Sequence, residues 1–177
     1  MTTPAQRPES NDKQGRRLVS ELGRSQGNTV RGGPTDRSFD LTVIDQGSEI
    51  RAEVKGMAPD ETWVGINGLG ALKRLVDDAA YRLYFCVLSE KPRVLRLKSP
   101  FLYLLLNWTP KHVADLRTFV ELIERHQPPG LGFSCRLQFH LPYSVAKVVS
   151  FALAKRDGLA QAIDGTWEYD GSAWTAL

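Results

Sequence analysis

Apolar and polar positions along the chain sort it into elements before anything else is considered. From Gln14 onward, Leu18, Val19 and Leu22 recur at helical spacing, with Arg16, Arg17 and Arg24 on the outer side, and Gly27-Asn28 closes the helix. Thr29-Val30-Arg31 predicts a short strand broken by Gly32-Gly33-Pro34. Phe39, Leu41 and Val43 then alternate with Asp40 and Thr42. After the turn Asp45-Gln46-Gly47-Ser48, residues 49–54 predict the return strand of a β-hairpin. Residues 63–66 suggest a short extended piece. Asn67 is placed to cap a helix running to about Ala80, with Leu69, Leu72, Leu75 and Val76 on one face. The run YRLYFCVL over 81–88 predicts a strand buried on both faces, and residues 93–98 alternate as its more exposed partner.

The second half is less regular. Residues 101–108 are apolar and fit either a strand or a helix. Thr109-Pro110 opens an amphipathic helix with Val113, Leu116, Phe119, Val120 and Ile123 on its inner side, ended by Pro128-Pro129-Gly130. Residues 136–141 predict a strand, 144–157 a helix and 167–171 a terminal hairpin turn. Residues 1–12 have almost nothing to bury and are expected to be a disordered tail. The expected organisation is therefore a tail, a mixed α/β core over 13–100, and an α+β C-terminal extension over 101–177 packed on that core.

Composition narrows the function classes. The 177 residues carry a formal net charge of +3, which argues against a strongly acidic surface without identifying a nucleic-acid binder. Cys86 and Cys135 lie far apart in apolar or strand-like sequence, so buried free thiols in a reducing cytoplasm are expected. The most apolar run, Phe101 to Leu106, is far short of the roughly 20 residues a spanning helix needs, and the start has no apolar signal region, so a cytoplasmic protein without membrane contact is expected. His112, His126 and His140 are isolated, Gly68-Leu69-Gly70 lacks the Lys-Ser/Thr pair of a phosphate loop, and no G-x-S-x-G elbow occurs.

One constellation stands out. Asp40 lies early in the first hairpin strand, and Glu53 and Lys55 lie at the end of the second. Residues i and i+2 of a strand share a face, so Glu53 and Lys55 project together. Chain entry to the first strand lies beside chain exit from the second, which brings Asp40 opposite them. Two carboxylates bind a hard cation such as Mg²⁺ and leave positions for water, and the Val54 backbone carbonyl is a reasonable extra ligand. A cation there activates water and offsets charge growing on a phosphate. An ammonium beside it steadies the same charge.

At these residues the chain resembles the PD-(D/E)XK nuclease superfamily. The resemblance spans about residues 14–98, with Ser38-Phe39-Asp40 in place of the Pro-Asp element and Glu53-Val54-Lys55 as the E-x-K element. Within the superfamily, RAEVKG through WVGINGLGALKRL to YRLYFCVL is similar to the NO VEIN C-terminal-type domain, and archaeal Holliday-junction resolvases have similar spacing between the Asp and the E-x-K. The resemblance implies a restriction-endonuclease-like mixed central sheet flanked by helices. It implies DNA cleavage that depends on Mg²⁺ or Mn²⁺, with Asp40 and Glu53 as metal ligands and Lys55 catalytic. Many members also use a Glu on the first helix, for which Glu21 is the candidate. The motif's Pro is absent here, and residues 99–177 match nothing in the family pattern.

Arg31, Arg37 and Lys73-Arg74 flank the cluster in sequence and are candidates for phosphate contact. A second basic stretch, Lys91 to Arg117, interleaves Phe101, Tyr103 and Trp108. Its aromatics fit a core segment better than a nucleic-acid face. Trp167 and Trp174 read as packing residues. The expected activity is that of a DNA endonuclease in restriction, phage defence or repair, acting as a homodimer or within a larger effector complex. The alternative is a non-catalytic nucleic-acid-binding or protein-interaction module on the same fold.

Overall fold

The computed structural model describes residues 9–35, 38–128, 135–159 and 161–177. The first helix, α1 (Asn11–Ser25), starts at Ser10, whose hydroxyl accepts the Lys13 N–H. Asn11 and Asp12, expected in the disordered tail, are therefore its first turn. Strands β1 (Thr29–Gly32), β2 (Leu41–Asp45) and β3 (Ser48–Met57) follow as an antiparallel meander. The β2–β3 turn is the expected one: Gln46 and Gly47 both take positive φ, as a two-residue hairpin turn requires. Next come β4 (Trp63–Asn67), α2 (Leu69–Asp77), β5 (Tyr81–Val87) and β6 (Arg93–Leu97). The cap of α2 is Gly68 at φ 86, because Asn67 is still the last residue of β4. The chain closes with α3 (Ser99–Leu105), α4 (Pro110–His126), β7 (Arg136–His140), α5 (Val145–Ala154), β8 (Ile163–Tyr169) and β9 (Trp174–Ala176).

Seven strands form one mixed sheet in the order β1-β2-β3-β5-β6-β8-β9, in which only β3 and β5 are parallel. Strands β4 and β7 pair separately as an antiparallel ribbon. Strand β5 is central, and its alternation fills two cores. Tyr81, Leu83, Phe85 and Val87 join α2, α3 and α5 on one face. Tyr84 and Cys86 join Val19 and Leu22 of α1 on the other. This is an α/β fold with a mixed sheet flanked by helices.

Several expectations change. Strand β6 is interior rather than exposed, because β8 pairs with its free side, Val94 opposite Trp167. Strands β8 and β9, which come from beyond residue 100, belong to the same sheet. The apolar run 101–108 is helical as far as Leu105 and then turns: Pro100 sits in the first turn of α3, and Phe101, Leu102 and Leu105 are buried along one side. In α4 only Leu116 and Val120 are fully buried, while Phe119, expected inside, is 46% exposed. Cys86 is a buried free thiol and Cys135 a half-buried one. No helix among the described residues is long and apolar enough to cross a membrane.

Candidate functional site

The β2–β3 ladder ends at Leu41–Ala52, with a last bond from the Asp40 N–H to the Ala52 carbonyl at 2.9 Å. Beyond that point β3 runs on beside β5 as far as Met57 with one edge uncovered by β2. Asp40 fills the first gap: its Oδ2 accepts the Val54 N–H at 2.8 Å, so the carboxylate lies in the plane of the sheet. A strand residue's N–H and C=O point to the same side. The Val54 carbonyl therefore leaves β3 at the edge where Asp40 sits.

Glu53 and Lys55 rise from β3 toward the α2 face, as their spacing requires. Lys55 Nζ stands 2.6 Å from Glu53 Oε1, and both side chains are largely buried. Burial pushes the Glu53 carboxyl above the ordinary carboxylate range, the Lys55 ammonium opposes that shift, and the Asp40 charge adds to it. The buried Tyr81 hydroxyl faces the same pair, and burial together with the Glu53 and Asp40 charges holds it well above the ordinary phenol range.

Arg16 is the residue that sequence reasoning missed. Apolar spacing puts it on the outer side of α1, yet its Nη1 meets Asp40 Oδ1 at 3.1 Å. Gly15 explains the geometry: a Cβ there would stand 3.0 Å from the Gly56 Cα and N, so helix and strand touch backbone to backbone. That close approach carries the next residue, Arg16, onto the strand edge. A glycine inside a helical pattern was the available signal. Glu21 does not join the cluster. Five residues beyond Arg16 it lies roughly 140° around the helix, and it pairs instead with Arg17 at 3.2 Å.

The flanking cations are mostly committed. Arg74 donates to Ser38 Oγ at 3.0 Å, pairs with Asp78 at 3.1 Å and lies over the Phe39 ring, so it braces the bend leading into Asp40. Lys73 is held by Glu124 at 3.0 Å. Arg31 is exposed on the edge strand β1. Arg37 lies outside the described residues. In the second basic stretch Arg93, Arg96, Lys98, Lys111 and Arg117 all have carboxylate partners, and the rings of Tyr103 and Trp108 stack on each other.

Among the described residues no group of three or more His, Cys, Asp or Glu side chains is placed to hold a metal ion. The Asp40 carboxylate and the Val54 carbonyl lie at the strand edge and the Glu53 carboxylate on the adjoining sheet face; such oxygen donors suit a hard cation that keeps several waters rather than a closed zinc-type cage. Each carboxylate oxygen retains lone pairs beyond its present partner. The Arg16–Asp40 contact is a single, partly exposed one, a class worth about 0–1 kcal/mol, so a divalent ion competes with it readily.

The raised Glu53 carboxyl has a consequence for stability. The folded chain holds this proton more tightly than the unfolded chain. The Glu53 contribution therefore grows as pH falls from neutrality through its raised value toward the ordinary glutamate range, and it is lost as pH rises. Glu53→Gln removes that slope. Urea denaturation at a series of pH values is expected to show the variant gaining on the wild type as pH rises to neutrality. An unchanged difference between the two across that range would contradict the raised value.

No family model matches the chain, and neither a curated protein nor a solved structure matches it.

Proposed function

We propose that this chain is a metal-dependent nuclease that hydrolyses DNA phosphodiester bonds in the cytoplasm, built on a restriction-endonuclease-like PD-(D/E)XK core. The observation that carries the proposal is the in-plane Asp40 carboxylate on the Val54 N–H, beside the buried Glu53–Lys55 pair, where β3 outruns β2. Asp40, Glu53 and the Val54 carbonyl would hold Mg²⁺ or Mn²⁺. That ion, when bound, would polarise the phosphate and activate water. Lys55 opposes the burial that raises the Glu53 carboxyl and would present its ammonium to the charge that develops on the phosphate. Restriction, phage defence and repair are the settings that fit such an activity, with action as a homodimer or within an effector complex.

A second reading has its own observation. Arg16 on Asp40 and Lys55 on Glu53 already give each carboxylate a cation, the arrangement expected of a non-catalytic nucleic-acid-binding or protein-interaction module. Calorimetric titration with Mn²⁺ separates the two. In a nuclease the wild type binds the ion, Asp40→Asn loses binding, and Arg16→Ala binds several-fold more tightly because a competitor is gone. The same preparations are assayed on plasmid, linear, branched and single-stranded DNA. Absence of Mn²⁺ binding in both wild type and Arg16→Ala, or cleavage by Asp40→Asn equal to wild type, would sink the nuclease proposal.

A further inference from the structure

Lys55, the partner of Glu53, borders a cleft of about 470 Å³, while Asp40 lines a separate hollow with Arg16 and Phe39. Lys55 and Gly56 form one wall, the start of α1 a second, and the β4–β7 ribbon a third. Strand alternation divides the ribbon. Val64, Ile66 and Phe139 turn into the core, while Trp63, Gly65 and Asn67, with Gln138 and Arg136 opposite the last two, face the cleft.

Trp63 is 50% exposed, and it lines the cleft. The His140 ring supports it from one side at a centroid distance of 4.6 Å. A Cβ on Gly65 would stand 3.0 Å from Arg136 Nε and Nη2, so the guanidinium lies against the bare Gly65 backbone. The Arg136 guanidinium has no hydrogen bond or ion pair among the described residues, whereas those of Arg51, Arg82, Arg93 and Arg117 each hold a carboxylate.

We infer that the ribbon is a stacking platform for unpaired nucleotides of a DNA substrate. The inference rests on the nuclease proposal and names the substrate class: single-stranded, flapped or branched DNA. A base stacks on the free face of Trp63, and Arg136 takes a neighbouring phosphate. The amides of Asn67 and Gln138 meet base edges without selecting one base. Stacking of this kind tolerates sequence because every base has a π face. Two acids also line the cleft. Glu61 is engaged by the Ala58 N–H at 3.2 Å, and Asp12 lies in the first turn of α1, where the helix dipole offsets its charge. Tracking a duplex backbone needs a row of unopposed cations, and this mixed wall does not offer one. An exposed ring with one free arginine suits an unpaired strand.

The test uses the whole chain in EDTA, with fluorescence anisotropy of a labelled oligothymidylate and of a blunt duplex of the same length. Wild type is expected to prefer the single strand. Trp63→Ala should weaken that binding about tenfold, and Trp63→Phe should keep most of it. Arg136→Ala should weaken it and flatten its salt dependence. Duplex binding should change in neither, with thermal melting confirming that the variants fold. Equal single-strand affinity in wild type and Trp63→Ala, or a wild-type preference for duplex, overturns the platform. A Trp63-dependent preference for oligouridylate over oligothymidylate overturns the DNA assignment. Ribbon-dependent binding without any metal-supported cleavage counts against the nuclease proposal alone. Single-strand cleavage undiminished in both ribbon variants counts against the platform alone.

Discussion

Lys55→Met is expected to lower Mg²⁺-supported DNA cleavage by about 10²–10³-fold, the loss typical of removing one preorganised group that stabilises transition-state charge. Two separable roles converge on this ammonium. It lies 2.6 Å from Glu53 Oε1, where it opposes the burial that raises the carboxyl. It also lines the cleft from which a phosphate would approach. In Lys55→Met the Glu53 carboxyl loses its cation while remaining buried beside Asp40, so it is held still higher. Mn²⁺ affinity should therefore fall at neutral pH and recover as the pH is raised and Glu53 ionises without help. Cleavage should not recover with it, because the charge facing the phosphate is still missing. Calorimetry and single-turnover cleavage across the same alkaline series check both parts. Cleavage that returns in step with metal affinity would reduce Lys55 to a positioning residue for Glu53.

What the chain disclosed in advance, and what it hid, divides along the range of the interactions. Glu53 and Lys55 share a face because strand periodicity is local, and β5 is legible because a run such as YRLYFCVL has no polar face to offer solvent. The hairpin that brings Asp40 to Val54 follows from a turn between adjacent strands. Contacts between distant segments were not legible. Strand β6 looked exposed because the strand that covers it, β8, comes more than sixty residues later. The β4–β7 ribbon pairs segments equally far apart, so Trp63 and Arg136 gave no sign of sharing a cleft. Phe119 fits the inner stripe of α4 by spacing, yet that helix rests on the fold through Leu116 and Val120 and leaves the ring outside. Arg16 was hidden for a different reason. Hydrophobic counting finds the face of a helix that buries side chains, Val19 and Leu22 here, whereas the start of α1 meets the end of β3 through glycines that have none.

That glycine contact sets the second large effect. Gly56→Ala is expected to destabilise the fold by about 1–3 kcal/mol, the usual range for overpacking a close contact. A Cβ on Gly56 would run into the Asn11 carbonyl and stand 3.3 Å from the Asp12 N, both parts of the first turn of α1. Neither is the far end of a flexible side chain, so no rotamer change relieves the clash and the helix itself must move. Gly32→Ala is the matched control: nothing lies within 4 Å of its added Cβ, and a change within about 0.5 kcal/mol is expected. Urea denaturation of the three proteins measures the difference, and equal midpoints for Gly56→Ala and wild type would refute the packing account. The same displacement reaches the site. Arg16 rides on α1, and its grip on Asp40 is a single contact of 3.1 Å. Moving the helix should break that contact before the carboxylate loses the Val54 N–H, which is held within the sheet. At a temperature where Gly56→Ala remains folded, its Mn²⁺ affinity should shift in the same direction as that of Arg16→Ala. The helix–strand glycine contact would then be what sets how firmly the guanidinium guards the acidic edge.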